Sequence, residues 1–208
     1  MNGENDVFDN KEELNIWTSI WINPRKTVRY AINHKPMGFA LALAAVVGLD
    51  DFLNKATEKN LGDSMALPLI VLLAIIAGPL MGLISWWIGA GLMSIIGKWI
   101  GGQGTFADLK MAVAVAYIPL IIGSILWIPD ILVLGNAMFT EDMDVSIGKL
   151  IWFFFSSLLS IVVAVWGFIA TIKAIAEAHR FSSWRALATI IIPTILLIVP
   201  LFLLFLAF

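Results

Sequence analysis

This 208-residue chain is 60% hydrophobic and 13% charged, against roughly 45–50% and about 25% in a soluble domain. Such a composition excludes most soluble chemistry and gives no basis for a nucleic-acid partner. The absence of Cys excludes disulfides, thiolate metal sites and Cys nucleophiles.

Residues 1–13 carry Glu4, Asp6, Asp9, Glu12 and Glu13 against Lys11 alone, with no apolar run. They are predicted to be a disordered acidic tail and not a signal peptide. Over residues 14–35, Trp17, Ile20 and Trp21 fall on one face at helical spacing, and Asn23-Pro24 ends that turn. Arg25, Lys26, Arg29 and Lys35 add positive charge. Trp favours the headgroup level, and basic side chains meet anionic lipid there. The segment predicts an interfacial amphipathic helix whose membrane-interface residues are Trp17, Trp21, Arg25, Lys26 and Arg29. The same pattern also suits a helix packed on a bundle.

Residues 36–208 contain five apolar stretches: Met37 to Leu53, Ala66 to about Lys98, Met111 to Leu134, Ile147 to Thr171, and Arg185 to Phe208. About 20 helical residues cover the ~30 Å hydrocarbon layer. The expected fold is therefore all-α, a polytopic integral membrane protein with five transmembrane helices plus the N-terminal interfacial helix. The first span should end at Asp50-Asp51, because a mid-bilayer charge costs ~2.5–3.5 kcal/mol. The second is overlong, and Pro79 should kink it, with a span to about Gly91 and the remainder emerging toward Trp99. The third should stop near Trp127, before Pro129-Asp130, leaving Ile131 to Met138 along the outer interface.

Ten of the thirteen Lys and Arg fall on the side of the N-terminus: Lys11, Arg25, Lys26, Arg29, Lys35, Lys98, Lys110, Lys173, Arg180 and Arg185. Lys55, Lys59 and Lys149 fall opposite, among many acids. Positive residues stay inside, so the expected placement is the cell membrane, N-terminus cytoplasmic and C-terminus extracytoplasmic.

Motifs for chemistry are sparse. The loop Gly101-Gly102-Gln103-Gly104-Thr105 lacks the Lys that a phosphate-binding loop requires. With Asp108 at the third helical position it reads as a tight turn followed by an N-cap. Gly78, Gly82, Ser85 and Gly89 recur at spacings of 4, 3 and 4, a small-residue helix face for close packing against another span or a second copy. Asp50, Asp51 and Asp130 form a candidate outer ion site, against the plainer reading of three carboxylates solvated at helix ends. His34 and His179 lie in flanks, and Ser156, Ser157 and Ser160 have no base to activate them. No catalytic residues, cofactor or metal are expected.

Several of these segments together resemble the Ypt-interacting-protein (Yip) domain family in its shorter bacterial form. They are the Trp17…Trp21…Pro24-Arg25 entry, the Gly101 to Phe106 loop, Tyr117-Ile118-Pro119, and Trp166-Gly-Phe-Ile…His179-Arg180-Phe181-Ser182. The resemblance runs from Leu14 to the C-terminus. It implies five spans, a cytoplasmic N-terminus and an extracytoplasmic C-terminus. The resemblance further implies relatives in eukaryotes that bind Rab-type GTPases and one another in early secretory membranes; such relatives carry a long cytosolic N-terminal region that is not expected here. The resemblance supplies no catalytic residue. The expected function is non-enzymatic: organising membrane lipid or protein partners, homo-oligomers included. The alternative is a transporter or lipid-translocating protein built on a Gly/Pro-broken second span.

Overall fold

The computed structural model describes residues 14–207, with side-chain detail through residue 196. The acidic tail expected over residues 1–13 lies outside the described residues. Among them, every regular element is helical: α1 (Ile16–Ile22), α2 (Pro24–His34), α3 (Met37–Glu58), α4 (Leu67–Trp99), α5 (Phe106–Ala116), α6 (Ile118–Gly123), α7 (Trp127–Leu134), α8 (Ile147–Ala178) and α9 (Ser183–Ala207). Short 3-10 turns occupy Leu61–Asp63, Ser124–Leu126 and Gly135–Phe139. Four segments, Met37–Glu58, Leu67–Trp99, Phe106–Phe139 and Ile147–Ala178, are long and apolar enough to cross a bilayer. The chain is an all-α membrane protein.

The bundle is arranged around α5. Met111 to Ala116 are consecutive buried residues, so this helix is enclosed on every side, as an all-round apolar helix must be. It contacts α2, α3, α4 and α8. Small Ala and Gly side chains recur where helices meet. Leu72, Ile75, Ile76, Leu80 and Ile84 on α4, and Phe154, Phe155, Leu158 and Val162 on α8, face outward. In lipid, large apolar side chains gain nothing by leaving the surface, so close backbone approach and dispersion decide which face turns inward. A second, smaller cluster of Leu53, Ala56, Ile70, Ala74 and Phe139 lies at the opposite, acid-rich end.

Four expectations are corrected. The first span does not stop at Asp50-Asp51: α3 continues to Glu58. Asn54 Nδ2 donates to Asp50 Oδ2 at 3.0 Å, and Lys55 stands one turn beyond Asp51, so charged and polar neighbours at helical spacing carry the helix onward. It ends at Asn60, in the left-handed region with φ 50°. The second stretch is not broken, since α4 runs 33 residues through Pro79. Within a bilayer helix such a proline is tolerated.

The third stretch, in contrast, is discontinuous. It divides into α5, α6, a 3-10 turn and α7. Pro119 and Pro129 each lack the N–H that would bond four residues back, and each ring crowds that carbonyl. The fourth correction concerns residues 14–35. They form two helices, split at Asn23, and α2 packs on α5 and α8, burying Thr27, Val28 and Ala31. Ile16 and Ile20 of α1 are buried as well. The segment is therefore docked on the bundle.

Candidate functional site

At the acid-rich end, α7 and α8 bring together residues far apart in sequence. Asp130 is 5% exposed and not solvated at a helix end as the plainer reading expected. Its Oδ1 accepts from Trp152 Nε1 at 2.9 Å, and its Oδ2 accepts from Ser156 Oγ at 2.7 Å. Trp152 and Ser156 are one turn apart on α8, so a single helix face supplies both donors. Asp50 is treated likewise: its Oδ1 accepts from Trp127 Nε1 at 2.7 Å. Asp50 and Asp130 line one cavity of about 280 Å³ together with Ser124 and Ser160, and no Lys, Arg or His lines it. Asp51 is half-buried and does not line this cavity. Among the described residues no three His, Cys, Asp or Glu side chains gather as a metal set would require.

The wall of this cavity includes Gly123, Ser124 and Leu126, the helix break of the third segment. Continuing along α8, the cavity abuts an apolar groove of about 520 Å³. Ile161 and Val163 line both, and the groove extends to Trp166 and Trp21. The two indoles stack with centroids 6.5 Å apart and planes 9° apart. Trp21 thus closes one end of the groove from α1.

At the opposite, basic end the organising residue is His179. It is fully buried, although sequence reasoning placed it in a flank. Its Nδ1 accepts from the Gly104 N–H at 3.2 Å, and Nε2 donates to the Met93 carbonyl at 3.1 Å. These partners select the tautomer with the proton on Nε2. A Cβ at Gly97 or Gly102 would overlap the imidazole. Burial lowers the pKa of His179 below its ordinary value, partly opposed by the bond to Met93. Thr105 forms the complete capping box with Asp108. The glycine loop therefore serves a turn, a cap and, unforeseen, a histidine socket. The signal that could have found it is four small residues, Gly97, Gly101, Gly102 and Gly104, crowded at a helix-to-helix turn.

Two of the arginines named for the membrane interface also make protein contacts. Arg25 Nη2 donates to the Phe181 carbonyl and to Ser183 Oγ, both at 3.3 Å. Arg29 pairs with Glu177, whose side chain is 7% exposed against 69% for the arginine. Lys26 and Trp17 are exposed, and Trp21 is half-buried. At the end of α8, Phe181 N–H bonds the Ala176 carbonyl at 3.0 Å and Arg180 N–H the Glu177 carbonyl at 3.2 Å. That is a Schellman closure with Arg180, at φ 56°, in the place glycine favours.

Of the small-residue face on α4, Gly78 and Gly82 pack on α3. A Cβ at Gly48 would lie 2.8 Å from the Gly82 Cα, so these two backbones touch. Ser85 is exposed, and a Cβ at Gly89 would meet nothing within 4 Å. The inward stripe continues through Trp86, Ala90 and Ser94.

Long apolar helices with small-residue seams define a polytopic helical membrane protein. The Yip1 domain family matches residues 18–205, and the chain belongs to that family. No curated protein and no solved structure gives a match.

Proposed function

We propose that this Yip-family protein acts without catalysis, organising lipid or protein partners in the plasma membrane. In this reading it crosses five times, α9 being the fifth, with its basic end in the cytoplasm and its C-terminus outside. The observation that carries the reading is the docked α1–α2 pair. Arg25 and Arg29 tie it to the α8–α9 turn, while Ile22, 80% exposed, and Trp184, 79% exposed, point away from the bundle. Lys26 adds exposed positive charge on α2. A rigidly held apolar and basic edge at headgroup level displaces lipid locally and attracts anionic headgroups.

The test is reconstitution of the full chain into vesicles of phosphatidylethanolamine and phosphatidylglycerol, with vesicle diameter as the readout. Native protein should shift the distribution to smaller diameters, and the Ile22→Ser/Trp184→Ser variant should lose most of that shift. Identical distributions for the two proteins would refute the role of this edge. Tags at both chain ends, probed in sealed cells, test the orientation, and accessibility of both from outside would overturn it.

A second reading, transport or lipid translocation, has a specific observation in its favour. Its basis moves from the second segment to the third, where a discontinuous helix borders a carboxylate-lined cavity. Cation and labelled-lipid flux in the same vesicles tests it, and flux no greater than in empty vesicles sinks it.

A further inference from the structure

We infer that the cavity of Asp50 and Asp130 and the groove beside it form one binding site for an amphiphile with an ammonium head and a single seated apolar chain. The site is separate from the exposed edge formed by Ile22 and Trp184, so its failure would leave the organising role standing.

The charge of the cavity identifies the head. Two carboxylates from different helices face one space, and every hydrogen-bond donor they have is neutral: Trp127, Asn54, Trp152 and Ser156. No cationic side chain lines the space. A carboxylate withdrawn from water needs a counter-charge, because neutral donors only partly replace its hydration. A primary ammonium supplies that charge together with three N–H donors, and it forms short charge-assisted bonds to carboxylates. Ser160 leaves its hydroxyl for a polar neighbour of the ammonium, such as a phosphate ester oxygen, while the Ser124 hydroxyl donates to the Ile121 carbonyl.

The neighbouring groove identifies the remainder of the ligand. It shares Ile161 and Val163 with the cavity, and apart from the two indoles its walls are aliphatic. From Ser156 to Trp166, α8 rises about 15 Å, room for an extended stretch of acyl chain. A bare metal ion or a free amine would fill the cavity and leave the groove without purpose. An acyl chain without a cationic head would leave the buried Asp130 and the half-buried Asp50 without a counter-charge. Only a molecule with both parts meets both surfaces.

The full chain, purified in detergent, is titrated with phosphatidylethanolamine and with phosphatidylglycerol of identical acyl chains, and bound lipid is counted by native mass spectrometry. The expected result is at least about tenfold tighter binding of the ethanolamine lipid, a factor equal to 1.4 kcal/mol. Asp50→Asn and Asp130→Asn, which keep the side-chain shape, should each lose most of that preference. Val162→Trp, in the groove wall, should weaken both lipids alike and leave their ratio unchanged. Should Asp130→Asn not fold, as judged by its thermal transition, Asp50→Asn carries the comparison. Equal affinity of the native chain for the two lipids overturns the proposal. So does a preference that survives in the Asn variants, and so does free ethanolamine binding as tightly as the lipid.

Discussion

The imidazole of His179 occupies the space into which any side chain at Gly97 would project. One residue at the end of α8 thereby sets how closely α4 approaches, and the Gly104 N–H bonded to Nδ1 fixes the start of α5. Three helices meet on one ring.

Gly97→Ala should accordingly destabilise the protein by about 1–3 kcal/mol, the usual cost of overpacking a tight contact. Adding His179→Ala should recover part of that loss, because the two changes share one contact and are not additive. Thermal transitions of the four proteins in detergent provide the cycle. Strict additivity would mean that ring and glycine do not compete for this space.

Stability should also depend on pH through the same residue. Burial holds the folded pKa of His179 below the ordinary 6.5. The unfolded chain then binds the proton first as pH falls through about 6.5, so stability present above that value is lost below it. Native protein should lose more stability than His179→Gln between pH 7.5 and 5.5. Parallel curves would show that the ring does not contribute.

Arg29→Ala leaves Glu177 buried without its partner. Because the arginine is itself largely exposed, the expected cost is about 1–3 kcal/mol, well short of a fully buried pair. Glu177→Gln in the same background should restore part of it, as measured by thermal transition. Failure of that rescue would place the cost in lost packing of the arginine stem.

Gly48→Ala should separate α3 from α4 and cost about 1–3 kcal/mol or more, since the clash is with backbone and cannot be relieved by a rotamer. Gly89→Ala has open space and should fall within about 0.5 kcal/mol of native. If Ser85 and Gly89 contact a second copy, Ser85→Leu should lower the dimer fraction in lipid while the thermal transition of the monomer holds. An unchanged dimer fraction removes that face from any self-association.

Arg180→Gly should stabilise by roughly 0.5–1 kcal/mol, because φ 56° strains a side-chain-bearing residue and suits glycine. A loss of stability would show that the Arg180 side chain contributes more than its backbone strain costs.

Much of the fold is legible in the residues one by one. Apolar run lengths mark the helices, Thr105 and Asp108 declare a cap, and Gly78 and Gly82 declare a close approach. The plainer expectation for the carboxylates is solvation at helix ends, and Asp130 departs from it. Asp130 is buried because Trp152 and Ser156 satisfy it from another helix, a pairing with no local trace. The burial of His179 is illegible for the same reason, its glycine socket being assembled from α4 and the loop after it.

Pro79 and Pro119 mark the boundary between the two kinds of information. Both remove the same amide hydrogen bond, and the sequence treats them alike. Packing separates them: Gly78 and Gly82 seat α4 on α3 and the helix runs on, while α5, α6 and α7 break beside a cavity. Composition and periodicity alone determined that the chain is helical and lives in lipid, since each residue's partition between water and hydrocarbon is a local property. Which polar groups meet inside was decided by tertiary structure, because a buried carboxylate persists only where another element brings it donors.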